Sequence, residues 1–256
     1  MLKLLNRRTE LGSEVGKLKR AEGRSVFSPE REEHLLEKLE LANGGPLTNV
    51  ALRAIYREVF SISRARQKQL VIGYAGPEKS GSFLAALRRF GVSERYQAVF
   101  SAGAAIRGLS TGRLDVVVFS HENRWCPVLS PRKEFVYGGS VNLCGKLMPP
   151  PGKKGESYYL LSVEAMSACR SSKTALMVYE PSRGQVARIL RQVFTPAEMK
   201  DAAICRTVVG RKEAVFFELP GHVSHRNVQR ALQKLEQKTL WVKVLGSYPV
   251  TYLYGG

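Results

Sequence analysis

The apolar period of this chain changes at Leu70, and that change constrains how the chain can fold. Before it, Leu4, Leu5, Leu11, Val15 and Leu18 recur at the three-and-four spacing of an amphipathic helix, which predicts a first helix from the start to about Arg20. AEGR (21–24) breaks that pattern, and Ser28-Pro29 then reads as an N-cap with Pro at the first helical position. Leu35, Leu36, Leu39 and Leu41 carry a second helix until Asn43-Gly44-Gly45-Pro46 stops it. Thr48 or Asn49 can cap a third, which holds Leu52, Ile55, Tyr56, Val59, Phe60 and Ile62 and ends near Gln69.

After Leu70 the apolar residues come in short runs bounded by glycine. LVIGYAG, SFLAALRRFG, YQAVF, AAIRGLSTG and LDVVVFS read as strand, helix, strand, helix, strand, which predicts an α/β unit with a parallel sheet. Residues 124–155 are rich in Pro and Gly and predict loop with one or two short strands. KTALMVYE, GQVARILRQVF, AAICRTVVG, EAVFFELPG, NVQRALQKLEQ and LWVKVLGSYPV then follow the order βαββαβ, a ferredoxin-like pattern. The expectation is a multidomain chain: all-α over 1–70, α/β over 71–163 and α+β ferredoxin-like over 164–256.

Charge narrows the function. The 256 residues carry 40 Lys+Arg against 22 Asp+Glu, a formal charge of +18, with 44% hydrophobic residues. Such a chain buries a core and needs an anionic partner or a tolerance for repulsion. Glu10, Glu14, Glu30, Glu32, Glu33, Glu37 and Glu40 interleave with the cations of the first segment, which argues against a nucleic-acid arm. No apolar run is long enough for a membrane span, and the N-terminus lacks the apolar core of a signal peptide. Cys126, Cys144, Cys169 and Cys205 form no CxxC pair, which suits a reduced, cytoplasmic protein. His222 and His225 do not fit the HExxH metal helix, and GYAGPEKSGS lacks the order of a phosphate loop. No metal and no cofactor is expected.

The helical segment concentrates the candidate chemistry. Arg8 and Lys19 are eleven residues apart, nearly three whole turns, so they share a helix face about 16 Å apart along the axis. Ser63 and Gln67 stand at i and i+4 on the third helix. Arg31 and Glu32 lie in the first turn of the second, beside its positive dipole end. Two guanidiniums, an ammonium, an amide, a hydroxyl and one carboxylate make an inventory without a nucleophile. It suits a reaction that needs orientation and fixed charge around a small dianion, although cations on helices are also common as a solvated face.

LNRRTELGSEVGKLK, VFSPEREEHLLEKL, NGGPL and AIYREVFSISRARQ resemble, in order and spacing, the helical chorismate mutases, and in particular the mutase segment of the bifunctional chorismate mutase–prephenate dehydratases. The resemblance implies chorismate as substrate and its [3,3] rearrangement to prephenate, in phenylalanine biosynthesis. It implies that Arg8 holds a substrate carboxylate and that Arg31 and Ser63 take part in binding. Glu32 would hold the hydroxyl, and Lys19 and Gln67 would face the ether oxygen. Ser28 stands where many members have Asp, which weakens its contact with the hydroxyl. A further family arginine would fall before Met1, so either residues precede this sequence or one carboxylate anchor is absent. The resemblance and the small size of a 70-residue helical unit both imply a homodimer.

The rest resembles the same proteins with losses. LVIGYAGPEKSGSF and LDVVVFSHENRW match strands of the dehydratase, a partial periplasmic-binding-like fold, and keep Glu122 and Asn123 while Ser120 and Arg124 replace family residues. The catalytic Thr-Arg-Phe motif reads Ser157-Tyr158-Tyr159, and residues 124–157 are too few for a second lobe. The tail resembles a regulatory ACT domain, with Gly184-Gln185-Val186 and Ile204-Cys205-Arg206-Thr207 at the loops that hold a phenylalanine effector in the family, so Gly184 and Arg206 are the candidate effector residues. The expectation is a mutase with dehydratase activity lost. A non-catalytic regulatory protein derived from the same ancestor, or a basic nucleic-acid binder, remains as an alternative at this point.

Overall fold

The computed structural model describes residues 2–22, 26–120, 141–169, 172–179, 184–199, 204–209, 212–239 and 241–253. Three helices come first: α1 (Leu2–Ala21), α2 (Pro29–Ala42) and α3 (Asn49–Gln67). Thr48 caps α3, its hydroxyl accepting from the Ala51 N–H at 3.2 Å. Ser28 precedes Pro29 as expected but does not cap α2 with its side chain. Its backbone (φ −144°, ψ 81°) turns the hydroxyl away from the helix amides, and it donates to Glu30 Oε1 at 2.8 Å instead.

α1 lies along α3, and glycine sets how closely. A Cβ on Gly16 would stand 2.9 Å from Gln67 Cα, so only a residue without a side chain lets the two backbones cross there. Much of the apolar surface of α1 is left uncovered: Leu4 is 74% exposed and Leu18 61%. The apolar period of this helix is therefore real but is not used up by the core of one chain.

The sheet begins with β1 (Val71–Ala75), α4 (Gly81–Phe90), β2 (Arg95–Val99), α5 (Ala102–Ser110) and β3 (Val116–Ser120). Ser80 and Ser101 cap the two helices, accepting from Phe83 N and Ala104 N. β1 pairs in parallel with both β2 and β3. The parallel expectation ends there. β4 (Asn142–Met148) and β5 (Tyr158–Ser162) pair antiparallel, and β5 slots antiparallel beside β3, making the sheet mixed. The short 149–157 connection cannot carry the crossover that parallel neighbours need. Glu122, Asn123 and Arg124 lie outside the described residues.

β6 (Ser172–Tyr179), α6 (Gln185–Leu190), α7 (Pro196–Met199), β7 (Ile204–Val209), β8 (Lys212–Pro220), α8 (Arg226–Lys238) and β9 (Trp241–Tyr252) complete the chain. β9-β6-β8-β7 are antiparallel neighbours, the order of a split βαβ unit with a short extra helix. Gly184 starts α6 at φ +88°, and Arg206 lies in β7 opposite Val215. The side chain of Arg206 lies outside the described residues.

β4 and β9 pair in parallel and join both parts into one nine-stranded sheet, β2-β1-β3-β5-β4-β9-β6-β8-β7. At the seam Gly246 has φ +152°, and a Cβ there would fall 2.1 Å from the Leu143 carbonyl oxygen. Beside it a charge pair is sealed in: Lys146 Nζ donates to Glu218 Oε2 at 2.5 Å, and Tyr248 donates to Glu218 Oε1 at 2.6 Å. Burial and the Glu218 charge push the Tyr248 hydroxyl well above its usual value, so it stays a donor. Phe119, Leu143, Tyr159 and Phe216 pack in the same core cluster.

Candidate active site

Arg8 and Lys19 of α1, Ser28 before α2, Arg31 and Glu32 in its first turn, and Ser63 and Gln67 of α3 all line one open cleft of about 510 Å³. The three helices that the sequence separates by loops thus bring all seven predicted residues together. Each contributes for a local reason. Eleven-residue spacing puts both α1 cations over the cleft, Pro29 fixes where α2 starts, and the close crossing at Gly16 lays Gln67 against α1.

The lining is cationic. Arg7, Arg8, Lys19, Arg31 and Arg64 stand against the single carboxylate of Glu32, with Leu4, Leu11, Val15, Leu35 and Phe60 between them. Arg8 Cζ sits 5.9 Å from the Phe60 ring centroid, and its buried Nε has no hydrogen-bond partner among the described residues. A buried unsatisfied donor costs about 1–3 kcal/mol, which an anionic ligand accepting from it would offset. Ser63 donates to the Val59 carbonyl at 2.7 Å, and Gln67 Nε2 donates to the Ser63 carbonyl at 3.1 Å, which holds both on the α3 face.

Glu32 is not a loose carboxylate. Arg64 Nη1 donates to Oε1, and Arg89 Nη1, from α4, donates to Oε2 at 2.9 Å. Burial alone would push Glu32 up, but the two guanidiniums outweigh it and hold the carboxyl below its usual range. Arg64 also donates to Glu94 Oε1 at 2.9 Å and to the Phe90 carbonyl at 2.7 Å. Glu94 accepts from Leu70 N at 2.8 Å, yet burial pushes its carboxyl up despite these partners. Arg64 was missed by sequence reasoning. The available signal was its place four residues after buried Phe60, a cation on the apolar stripe of α3.

Elsewhere the candidate residues sit otherwise. Tyr158 is buried, its hydroxyl donating to Glu156 Oε2 at 2.8 Å and standing where a Cβ on Gly81 would be, at the start of α4. Tyr159 is fully buried in the sheet core. His222 makes its contacts with Ser224 and the Met166 carbonyl. Among the described residues, no helix is long and apolar enough to cross a membrane.

Residues 1–68, the segment that forms the cleft, match the family model of chorismate mutase type II. Over the longer chain the similarity is to bifunctional chorismate mutase/prephenate dehydratases. That of Aquifex aeolicus is 24% identical over 348 aligned positions, covering 99% of this chain and 95% of the relative. That of Neisseria gonorrhoeae is 31% identical over 148, covering 58% of this chain and only 40% of the relative. An alignment of 348 positions on 256 residues needs long gaps, so this chain is a shortened version of what it resembles. In structure, prephenate dehydratase of Arthrobacter aurescens, solved with L-Phe, superposes with a TM-score of 0.56 at 13% identity, over 70% of this chain and 90% of that one. At that identity the likeness speaks for the fold: a helical N-terminal region followed by a mixed α/β sheet of prephenate dehydratase type.

Proposed function

We propose that this chain is a chorismate mutase that converts chorismate to prephenate in phenylalanine biosynthesis. The observation that carries the reading is that Arg8, Lys19, Ser28, Arg31, Glu32, Ser63 and Gln67 meet from three helices in a cationic cleft. The rearrangement needs no nucleophile and no proton transfer. As the ether bond lengthens, negative charge grows on its oxygen, and Lys19 and Gln67 donate to it more strongly in the transition state than in the ground state. Arg8 and Arg31 hold the carboxylates so that the reacting ends face each other, which supplies the entropic part. Glu32 accepts from the ring hydroxyl, and Ser28 and Ser63 border the same space. An acceleration of about 10⁶ corresponds to about 8 kcal/mol, of which one donor aimed at the developing charge supplies about 3–4.

The rest of the chain is a scaffold in this reading. Dehydratase activity is lost, supported by burial of Tyr158 and Tyr159 at the positions of the family's Arg and Phe. The βαββαβ unit is an ACT-like domain with Gly184 and Arg206 at its candidate phenylalanine loops. The bare face of α1 packs on a second copy, giving a homodimer, and the protein works in the cytoplasm without cofactor or metal.

The test is chorismate consumption, followed by loss of its ultraviolet absorbance, with phenylpyruvate formation from prephenate measured alongside. The wild-type chain is expected to consume chorismate and to leave prephenate untouched. Lys19→Ala is expected to lower kcat by about 10²–10³-fold. An inactive wild type overturns the mutase reading in favour of the non-catalytic one.

A further inference from the structure

The helical cleft is not closed off from the sheet. Glu32 lines the cleft, but one of the two guanidiniums on its carboxylate comes from α4, in the α/β unit. Arg89 is held in turn by aromatic rings: its Cζ lies 5.9 Å from the Phe27 centroid and 5.4 Å from that of Phe90, and those rings are themselves 5.3 Å apart. Phe27 immediately precedes Ser28 and packs with Leu70, Ile72, Ala86 and Phe90 in one core cluster. Arg64 reaches the same unit through Glu94 and the Phe90 carbonyl. Among the described residues, one contact on the Glu32 carboxylate comes from α4 and the other from an α3 arginine that is also bonded to α4 and to the loop after it.

We infer that Arg89 is a positioning residue of the cleft, acting through Glu32, so that the α/β unit supplies part of the frame of the helical site. A free glutamate in the first turn of a helix samples several rotamers and can take up a proton. A carboxylate gripped on separate oxygens by guanidiniums from two different elements is held in one orientation and takes up a proton only at lower pH. One lone pair on each oxygen remains to accept from a ligand hydroxyl. Arg89 lies outside the cleft lining, and its direct contact with a lining residue is the ion pair with Glu32. The inference rests on the mutase reading for its activity readout only.

The charged groups around Glu32 are Arg64 and Arg89 in contact, Glu94 behind Arg64, Glu30 and Arg31 on the same turn of α2, and Lys19 from α1 in the cleft lining. Arg89→Met keeps the apolar stem between the two phenylalanines and removes the charge. In the full chain it is expected to lower kcat by about tenfold and to move the acid limb of the pH profile upward as Glu32 becomes easier to protonate. Arg89→Lys, which keeps the charge but loses the planar fork, is expected to fall between Arg89→Met and wild type. Arg88→Met, on the exposed neighbour, is expected to leave rate and profile unchanged. The titration of Glu32 is also read directly, by carbon NMR of glutamate-labelled protein, with Glu32→Gln to assign the signal.

If the wild type consumes chorismate and folded Arg89→Met keeps its kcat and acid limb, the positioning role is overturned while the mutase reading stands. If the wild type is inactive, the mutase reading falls and the NMR titration decides the coupling: an unshifted Glu32 in Arg89→Met overturns it. Should Arg89→Met not fold, Arg89→Lys decides alone, since a profile identical to wild type in that variant overturns the role.

Discussion

Two of the buried charge clusters among the described residues are built to opposite ends. Lys146, Glu218 and Tyr248 are sealed inside the sheet at its β4–β9 seam, where the Glu218 side chain is 0% exposed. Glu32, Arg64, Arg89 and Glu94 are equally well paired, but one edge of that cluster opens on the helical cleft. A sealed pair can only fix register and position, because nothing reaches it. A pair with one open edge can present its remaining lone pairs to a ligand while the closed side keeps the geometry. Ion pairing alone is therefore a poor signal of function; what distinguishes the two clusters is access.

The largest expected effect tests the sealed cluster. Lys146→Met leaves Glu218 charged and buried with only a hydroxyl partner, and should cost about 3–5 kcal/mol in urea unfolding. The double variant Lys146→Met/Glu218→Gln should recover most of that loss; if it does not, the pair does more than balance itself. Tyr248→Phe removes a donor to a buried charge and should cost about 1.5–3 kcal/mol by the same measurement.

The open cluster should respond less, and to pH. Because Glu32 is held below its usual value near 4.5, its pairing stabilises the fold above that pH and loses this contribution as pH falls through the lowered value. Glu32→Gln should therefore cost about 1 kcal/mol at neutral pH, and the gap to wild type should close in unfolding measured well below pH 4.5. A gap that stays constant with pH would mean the carboxylate is not the group being read. The smallest effect belongs to a surface pair. Lys68 reaches Asp115 at 2.6 Å with its side chain 55% exposed, while Asp115 also accepts from Val71 N. Lys68→Ala should cost at most about 1 kcal/mol, and less in high salt.

The helices stand where the apolar period puts them, because Pro29, Thr48 and the 43–46 break mark their ends in local chemistry. The ferredoxin-like strand order was likewise readable from the order of its elements. Two things were not. The antiparallel entry of β5 depends on which edge β3 offers after its partners are chosen, a matter of the whole sheet that no window of residues records. The Arg64–Arg89–Glu32 grip joins residues up to 57 apart, and nothing in the local sequence of any one of them points to the other two. In the cleft, the spacing of Arg8 with Lys19 and of Ser63 with Gln67 placed the two pairs on their helix faces, but it could not show that Glu32 is already occupied. The bare leucines of α1 mark a limit of another kind. Their period shows an apolar face without saying which surface covers it.

Gly246 turns the β4–β9 contact into a matter of a single substituent. A hydrogen atom there lets two strands from distant parts of the chain lie edge to edge. A methyl group in its place would act as a wedge against the Leu143 carbonyl, and the continuous ribbon of nine would be free to part into two plates.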